Sequence, residues 1–363
     1  MKIAVVANFG LGLFNFRLEV LQGIKDAGHD VIIFYPRDEY AETFENNGFQ
    51  VIDISLSRRG MNPIEDFKLY RQLKKLFKAN GIDLVVTYTI KPNIYASKAA
   101  QRLNIPSIAN ITGLGTSFET DGIMRKIIAT MYRSSLKKAR HVFFQNDQNL
   151  EVFQKLEILN GPFSILPGSG VNLEKFQSLP YPEDSHKHIL FVGRLMESKG
   201  IIELMEAINE MERTDFTLHV VGMYDQNLHD FVEGAIEKSN GKIVMHGYKT
   251  NISDYLLTSH ALINPSHHEG MSNVLLEAAA CARPLLASNI PGCKEIVNEG
   301  VNGFLFEAKS SESIQHALNK FLDLPLVMNH EMGDESRRWV EEHFDRKLIV
   351  KEYLELIKEI DHD

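Results

Sequence analysis

Short apolar runs alternate with amphipathic stretches through the first half of the chain. The runs predict strands at 2–7, 30–35, 50–54, 83–87, 107–111 and 141–145. The stretches between and after them predict helices at about 15–27, 38–47, 63–79, 93–103, 122–138 and 147–158. Such βαβα repetition indicates a parallel sheet with helices on both faces.

The same alternation restarts in the second half, after a segment rich in Gly and Pro. We predict a first domain over 1–165, a linker over 166–187 and a second domain over 188–343. The last helix, about 344–363, is expected to pack back on the first domain. Two similar α/β halves indicate two Rossmann-like domains whose parallel sheets face each other across a cleft.

Composition adds few constraints but excludes several classes of protein. Hydrophobic residues make up 44% of the 363 residues, which is ordinary for a globular protein with a real core. The two cysteines, Cys281 and Cys293, form no metal-ligand pattern and favour a reducing compartment. The chain begins directly with a strand rather than a signal peptide, and no apolar run approaches the length of a membrane span. A cytoplasmic location is expected.

The net charge of −9 conceals an asymmetry between the two halves. Residues 1–180 hold 22 Lys and Arg against 17 Asp and Glu, whereas residues 181–363 hold 17 against 31. The halves therefore face different partners, and the acidic half is unsuited to nucleic acid.

A strand, a Gly-containing loop and a helix start follow one another near residue 270. Glu269 lies in the loop and Glu277 lies inside the helix that follows. The backbone amides of Met271, Ser272 and Asn273 are placed at the helix N-terminus, where anions bind. This combination suits a ligand with a phosphate at its centre and hydroxyls at both ends.

Two cations follow the first strand of the second half. That strand ends at Gly193, and Arg194 and Lys199 come next. Arg can bind two phosphate oxygens at once and Lys adds a point charge, so the pair suits a diphosphate, although exposed turns also carry such cations. Further on, Gly247 ends a strand and precedes Tyr248, Asn251 and Ile252, a turn that could read the edge of a base.

The combined order resembles the nucleotide-sugar-binding half of family 4 glycosyltransferases, which have the GT-B fold. The matching residues are Gly193-Arg194-Leu195, Lys199-Gly200, Pro265-Ser266, Glu269-Gly270, Glu277, Pro291-Gly292 and Asn302-Gly303. The resemblance implies that Arg194 and Lys199 bind the donor diphosphate and stabilise it as leaving group. It also implies that Glu269 meets the sugar hydroxyls and Glu277 the ribose hydroxyls. Gly193, Gly270 and the amides of Met271, Ser272 and Asn273 would touch phosphate or sugar, and Tyr248, Asn251 and Ile252 would flank the base.

The first half carries a second signature. The segment Thr87-Tyr88-Thr89-Ile90-Lys91-Pro92-Asn93 is similar to one in a bacterial subgroup that builds capsular, exopolysaccharide and O-antigen repeat units. The resemblance implies acceptor-side roles for Lys91 and Asn93, and for Gly113 and Gly115 in a later Gly loop. The Gly10-Leu11-Gly12 loop, with Asn15 and Arg17, resembles the family's first loop near the donor phosphates and the acceptor.

Basic amphipathic helices suggest how the acceptor is reached. Residues 123–140 carry six cations and no acid, and the helix at 63–79 is also basic. The apolar stripe of each helix should pack mostly on its own sheet, while the excess positive charge should attract an anionic membrane. Transferases of this subgroup use acceptors on a polyprenyl diphosphate. We expect peripheral association with the inner face of the cell membrane.

The resemblance implies a retaining reaction that needs neither metal nor cofactor. The Asp-x-Asp sequence at 361–363 is terminal, and the helix amides with Arg194 and Lys199 can neutralise the leaving diphosphate. The expected reaction moves a hexose or N-acetylhexosamine from a UDP-sugar to a lipid-linked saccharide. Two alternatives stay open: a UDP-sugar epimerase of the same fold, with Glu19 and Glu119 as candidate acids, and a non-catalytic nucleotide-sugar-binding partner.

Overall fold

The computed structural model describes residues 1–57, 62–114, 122–225 and 227–362. They divide into two compact units, one made of Met1–Ser169 with Lys347–Asp363 and the other of Gly170–Arg346. Most residues of the predicted linker, from Gly170 on, therefore belong to the second unit.

The first unit is built on a seven-stranded parallel sheet. Its strands are β1 (Lys2–Val6), β2 (Asp30–Tyr35), β3 (Gln50–Asp53), β4 (Leu84–Tyr88), β5 (Ser107–Ile111), β6 (His141–Phe144) and β7 (Phe163–Ile165). They run in the order β3-β2-β1-β4-β5-β6-β7. The sheet's central strands are buried on both faces, as parallel strands covered by helices must be.

Seven helices described in the first unit cover this sheet. They are α1 (Gly10–Asp26), α2 (Ala41–Asn46), α3 (Pro63–Asn80), α4 (Ile90–Leu103), α5 (Ile123–Leu136), α6 (Asp147–Lys155) and the C-terminal helix, here numbered α13 (Arg346–His362). From α13, Ile349, Tyr353 and Ile357 are fully buried in the core that also holds Ile3 and Val5 of β1. The C-terminal helix thus completes the first unit.

The second unit holds a six-stranded parallel sheet. Its strands are β8 (Lys187–Val192), β9 (Phe216–Val221), β10 (Ile243–Gly247), β11 (Ala261–Asn264), β12 (Leu285–Ser288) and β13 (Gly303–Phe306). Its helices are α7 (Ile201–Glu210), α8 (His229–Lys238), α9 (Ile252–Thr258), α10 (Asn273–Ala280), α11 (Ser311–Asp323) and α12 (Leu326–His343), with a 3₁₀ turn at Glu197–Lys199.

The strand order of both sheets reverses at an equivalent place. The second sheet runs β10-β9-β8-β11-β12-β13, so β8 and β11 are neighbours there, as β1 and β4 are in the first. Ligands of doubly wound sheets bind at the carboxyl ends of the strands at this switch point. The topology therefore marks one ligand-binding edge in each unit.

Several helix and strand boundaries predicted from the sequence are wrong. Helix α1 begins at Gly10 rather than near Asn15, so Gly12 lies in its first turn and not in a loop. Helix α4 begins at Ile90, three residues before the predicted start. Strand β7 was not predicted, because it has only three residues and lies directly after Gly161-Pro162 in the segment rich in Gly and Pro.

Two glycines set the spacing at the carboxyl edge of the second sheet. A Cβ on Gly222 would lie 1.8 Å from the Gly193 carbonyl oxygen. A Cβ on Gly200, whose φ is +67°, would lie 2.0 Å from the Pro265 carbonyl oxygen. These contacts let β9 and the start of α7 approach the ends of β8 and β11, where a ligand would sit.

Arg283 is the largest fully buried side chain described. Its guanidinium donates to the carbonyl oxygens of Leu256 at 2.8 Å, Pro180 at 2.7 Å and Leu179 at 3.2 Å. It thereby ties the chain before β8 to the end of α9. No sequence pattern indicated this role.

A chain of imidazoles crosses one face of the second sheet. His188 Nδ1 lies 2.9 Å from His219 Nε2, and His219 Nδ1 lies 2.9 Å from His246 Nε2. Burial lowers the pKa of all three, and burial together with the neighbouring imidazoles lowers that of His219 to about 4. At pH 7 these three imidazoles are therefore neutral and hydrogen-bonded to one another.

Candidate active site

A cavity of about 180 Å³ opens between the carboxyl ends of β8 and β11. It is lined by Phe191, Val192, Gly193, Lys199, Asn264, Ser266, Glu269, Met271, Ser272, Asn273 and Val274. Six predicted site residues are thus brought together: Gly193, Lys199, Glu269, Met271, Ser272 and Asn273. The cavity lies at the switch point of the second sheet, where the topology places a ligand.

Lys199 and Glu269 form an ion pair in this cavity. Lys199 Nζ lies 2.6 Å from Glu269 Oε1, with the side chains 25% and 14% exposed. The 3₁₀ turn carries Lys199 away from the end of β8, and the loop after β11 carries Glu269 toward it. Lys199, predicted to bind the diphosphate, and Glu269, predicted to bind the sugar hydroxyls, are therefore adjacent.

Buried hydroxyl and amide groups hold the Glu269 loop against helix α10. The Ser266 hydroxyl lies 2.8 Å from Glu269 Oε1 and 2.6 Å from Asn264 Oδ1, and it can donate to one of them at a time. Asn264 Nδ2 donates to Ser272 Oγ at 2.5 Å. The carboxylate is therefore positioned by a connected network rather than by the loop backbone alone.

The N-terminus of α10 differs in one respect from the prediction. The Ser272 amide, predicted to face the ligand, donates to the Gly292 carbonyl oxygen at 2.8 Å. Ser272 occupies the N-cap position, but its side chain makes no capping hydrogen bond and instead accepts from Asn264. Met271 is 7% exposed and packs partly in the core.

Glu277 lies one turn inside α10 and does not line the cavity. Burial raises the pKa of its carboxyl to about 7, while the charges of Lys175 and Arg346 oppose the rise. No hydrogen-bond partner of this carboxylate lies among the described residues. A half-buried acid without a partner, close to two cations, suits a hydroxyl-bearing ligand.

Arg194 also lies outside the cavity lining. Its Nη1 donates to Asp225 Oδ2 at 2.5 Å, and the two side chains are 53% and 29% exposed. Asp225 follows β9 and was not singled out in the sequence. The Arg194 guanidinium, which was predicted to bind the diphosphate, is thus paired with Asp225 of the same unit.

The predicted base-flanking residues surround the start of α9. Tyr248 is 61% exposed and follows Gly247, whose φ is +68°. Asn251 is the N-cap residue of α9 without a side-chain capping bond, and Ile252 packs against the core. These residues and Gly270 are not part of the cavity lining.

In the first unit, two predicted acceptor residues are held by internal contacts. Lys91 Nζ lies 2.8 Å from Asp66 Oδ1, and Tyr95 donates to the other oxygen of Asp66 at 3.0 Å. Asn93 is 1% exposed, accepts from the Thr87 hydroxyl at 2.6 Å and donates to the Asn110 carbonyl. Both residues tie secondary structure elements together in this geometry.

The remaining acceptor-side residues lie on α1 and after β5. Asn15 and Arg17 belong to α1, and Arg17 is 5% exposed with its guanidinium 5.1 Å from the centre of the Tyr88 ring. Gly113 follows β5 with φ +151°. Gly115 and Glu119 lie outside the described residues.

Sequence reasoning missed the residues that position the charged groups. Asn264 could have been noticed as a polar residue ending an otherwise apolar buried strand. Asp66 and Asp225 gave no such signal, because each meets its cation across at least 25 residues of sequence.

Two kinds of feature are absent from the described residues. Within the described ranges, no three His, Cys, Asp or Glu side chains are grouped so that they could hold a metal ion. None of the helices in the described part of the chain is long and apolar enough to cross a membrane.

Two Rossmann-like units, the second with a cation–acid pair at its switch point, are the arrangement expected of a GT-B glycosyltransferase. Residues 173–339 match the family model for glycosyl transferases group 1, and residues 2–146 match that for glycosyl transferase 4-like domains. The chain belongs to this family of glycosyltransferases, and the predictions of family, GT-B fold and enzyme class are confirmed.

Several known proteins resemble the chain over most of its length. An N,N'-diacetylbacillosaminyl-diphospho-undecaprenol alpha-1,3-N-acetylgalactosaminyltransferase of Campylobacter jejuni is 25% identical across 98% of both chains. A UDP-Gal:alpha-D-GlcNAc-diphosphoundecaprenol alpha-1,3-galactosyltransferase of Escherichia coli is 26% identical across 73% of each. HepE of Anabaena, solved with UDP and glucose, shares the fold with a TM-score of 0.79, 16% identity and 99% coverage of both chains.

Proposed function

We propose that the protein transfers a hexose or N-acetylhexosamine from a UDP-sugar to a saccharide carried on a polyprenyl diphosphate, with retention of configuration. The observation that carries this proposal is the Lys199–Glu269 pair in a cavity at the switch point of the second sheet. The Campylobacter and Escherichia relatives, whose names specify diphospho-undecaprenol acceptors, support the acceptor class.

The donor diphosphate would lie between Lys199 and the N-terminus of α10. A lysine has three donors, so Lys199 can contact a phosphate oxygen while it still donates to Glu269. Charge develops on the diphosphate as the sugar leaves, and a fixed cation stabilises that charge in the transition state. Glu269, held by Ser266, would accept hydrogen bonds from the sugar hydroxyls.

Arg194 and Glu277 would complete donor binding. The Arg194–Asp225 pair is substantially exposed, and exposed pairs contribute only about 0.2–1 kcal/mol. The guanidinium can therefore exchange Asp225 for a phosphate at little cost. Glu277, with a raised pKa and no hydrogen-bond partner in the described residues, would accept the ribose hydroxyls.

Retention in a single step requires attack from the face that the diphosphate leaves. The bond from the anomeric carbon to the diphosphate oxygen breaks as the bond to the acceptor oxygen forms. The acceptor proton passes to the leaving phosphate oxygen, so no separate protein base is needed. UDP-galactose is an α-glycosyl donor, so the α-1,3 linkage named for the Escherichia relative is consistent with retention.

The first unit offers a surface for a membrane-borne acceptor. Its exposed apolar side chains include Ile64 on α3 and Ile123 on α5, which are 69% and 80% exposed, and Phe67, which is 58% exposed. Exposed cations share the same helices: Lys68, Arg71, Lys74, Lys75, Lys78, Lys126 and Arg133. Apolar and basic groups together favour peripheral binding to the anionic inner face of the cell membrane.

A donor screen tests the proposal. The purified chain is incubated with UDP-linked hexoses and N-acetylhexosamines, with and without short-chain polyprenyl-diphosphate saccharides, and UDP release and product anomers are measured. Acceptor-dependent release with an α product is expected. Sugar interconversion without acceptor would indicate an epimerase, and binding of UDP-sugar without turnover on any acceptor would indicate a non-catalytic partner.

A further inference from the structure

Three buried polar atoms at the carboxyl edge of the first sheet have no hydrogen-bond partner among the described residues. They are Asn8 Oδ1, Arg17 Nη1 and Thr89 Oγ1. Such atoms are uncommon in folded proteins, because leaving a polar group unpaired away from water is costly. Three of them on adjoining elements indicate a place where a ligand supplies the missing bonds.

The sheet register brings these residues to one place. Val6 of β1 pairs with Thr87 of β4, so Asn8 and Thr89, each two residues further on, follow neighbouring strand ends. Helix α1, which carries Arg17, starts directly after β1. This edge between β1 and β4 is the switch point of the first sheet.

Arg17 is a buried cation that lacks a counter-charge. Its side chain is 5% exposed, its guanidinium lies over the Tyr88 ring, and no acid of the described chain forms an ion pair with it. With the Gln145 amide turned to satisfy its neighbours, the amide oxygen accepts from Arg17 Nη2 at 2.8 Å. Nη1 is left to donate elsewhere, and an oxyanion would supply both an acceptor and the missing negative charge.

Thr89 is strained at the same edge. Its φ of +72° and ψ of 167° fall in a region that is almost exclusive to glycine. The preceding residue is fixed, since the Tyr88 hydroxyl donates to the Tyr353 hydroxyl at 3.1 Å and Tyr353 bonds to Asn110. The surroundings therefore hold Thr89 in a conformation that a β-branched residue would not adopt alone.

We propose that Asn8, Arg17 and Thr89 form an oxyanion subsite that binds a phosphate of the acceptor's polyprenyl diphosphate. Arg17 Nη1 and the Thr89 hydroxyl donate to it, and the Asn8 amide donates once its nitrogen is turned toward the ligand. This proposal rests on the proposed function. The donor diphosphate already has Lys199 in the second unit, which leaves the acceptor diphosphate for this subsite.

Calorimetry with the full chain tests the subsite: UDP is titrated into the free chain, and inorganic pyrophosphate into the chain saturated with UDP, so that the donor site is already filled. Thr89→Val removes the hydroxyl and keeps the branched shape, Arg17→Gln removes the charge, and Thr43→Val on α2 is the matched control. We expect both site variants to weaken pyrophosphate binding at least about tenfold, equivalent to about 1.4 kcal/mol, with UDP affinity unchanged. The acceptor KM should rise in the same variants while the donor KM stays constant.

Stability separates a ligand role from a structural one. Because Thr89 Oγ1 has no partner, Thr89→Val should melt at or above the temperature of the wild-type protein. Unchanged pyrophosphate affinity in both variants, an equal loss of UDP affinity, or a lower melting temperature for Thr89→Val would each overturn the proposal. An absence of turnover on every acceptor would defeat the proposed function instead, while pyrophosphate binding would still report on the subsite.

Discussion

Lys199 Nζ and Glu269 Oε1 lie 2.6 Å apart, so the two groups expected to meet different parts of the donor neutralise each other. In the proposed reaction, a diphosphate that enters this cavity would share the ammonium with the carboxylate. The pair would then hold the cation in position before the substrate arrives, which would reduce the reorganisation needed during the reaction.

Lys199→Met should lower kcat about 10²–10³-fold, the usual cost of removing one fixed group that stabilises transition-state charge. The assay is UDP release at saturating donor and acceptor. Lys238→Met, which removes an exposed lysine of α8, is the control and should retain full activity. A Lys199→Met enzyme with normal turnover would show that the leaving diphosphate is neutralised elsewhere.

Glu269→Gln should also lose most activity, and the double variant Lys199→Met/Glu269→Gln should be little worse than the poorer single variant. The reason is that two residues acting as a unit give non-additive losses. Rates of all three variants under one set of conditions provide the comparison. Multiplicative losses would mean that the two side chains act independently.

Asp225→Asn should tighten UDP binding, whereas Arg194→Gln should weaken it. Asp225 holds the guanidinium at 2.5 Å, and removal of its charge frees Arg194 for the diphosphate. Calorimetric titration with UDP, and with uridine as a control that lacks phosphate, measures both effects. If Asp225→Asn weakened UDP binding, the carboxylate would be positioning Arg194 rather than competing for it.

UDP affinity should rise with pH around 7, because Glu277 ionises there and a carboxylate accepts the ribose hydroxyls better than its protonated form. The phosphate of UDP also titrates near this range, so Glu277→Gln is the necessary comparison. The difference between the two pH profiles should carry the Glu277 contribution. Parallel profiles would remove Glu277 from ribose binding.

Glu277→Gln should also change the pH dependence of stability. A folded-state pKa near 7, above the unfolded value of about 4.5, stabilises the protonated fold at low pH and loses that contribution as pH rises through 7. Above pH 7 the variant should therefore melt no lower than the wild-type protein. A marked drop in its melting temperature would reveal a structural partner of the carboxylate.

The imidazole chain should make the protein less stable below pH 6.5. The folded-state pKa of His219 is about 4 against 6.5 when unfolded, so stability is complete above 6.5 and is lost as pH falls toward 4. Other charged neighbours also act on this group of histidines. His186 lowers and Asp184 raises the pKa of His188, and Lys249 lowers the pKa of His246. Melting temperatures from pH 7.5 to 4.5 should fall less steeply for His219→Gln than for His316→Gln, an exposed control.

The sequence predicted the alternation of strands and helices well, because buried parallel strands are continuous apolar runs and their helices are amphipathic. It also predicted that Gly193, Lys199 and Glu269 share a site, since each follows the end of a strand. The start of α1 was missed because a distant contact stabilises it: Asp38 accepts from the Gly10 amide at 2.8 Å. Glycine-rich sequence alone disfavours a helix there.

Side-chain partners were the least predictable part of the site. No sequence pattern pairs Arg194 with Asp225, or Lys91 with Asp66, because the first contact depends on how two strand ends meet in space and the second on how helices α3 and α4 pack. The free amide expected at Ser272 was wrong for the same reason, since Gly292 comes from a loop after β12.

Several residues that resemble family motifs act in packing. Gly292 has φ +85°, and a Cβ there would have no room beside the Gly270 carbonyl. A Cβ on Gly303 would lie 1.9 Å from the Leu285 carbonyl oxygen. The Asn302 side chain donates to the Ile296 carbonyl oxygen. None of these contacts involves Lys199 or Glu269, so a homologue without the charged pair would keep the same packing. If the pair acts as proposed, an active and an inactive homologue would differ at Lys199 and Glu269 rather than at these three positions.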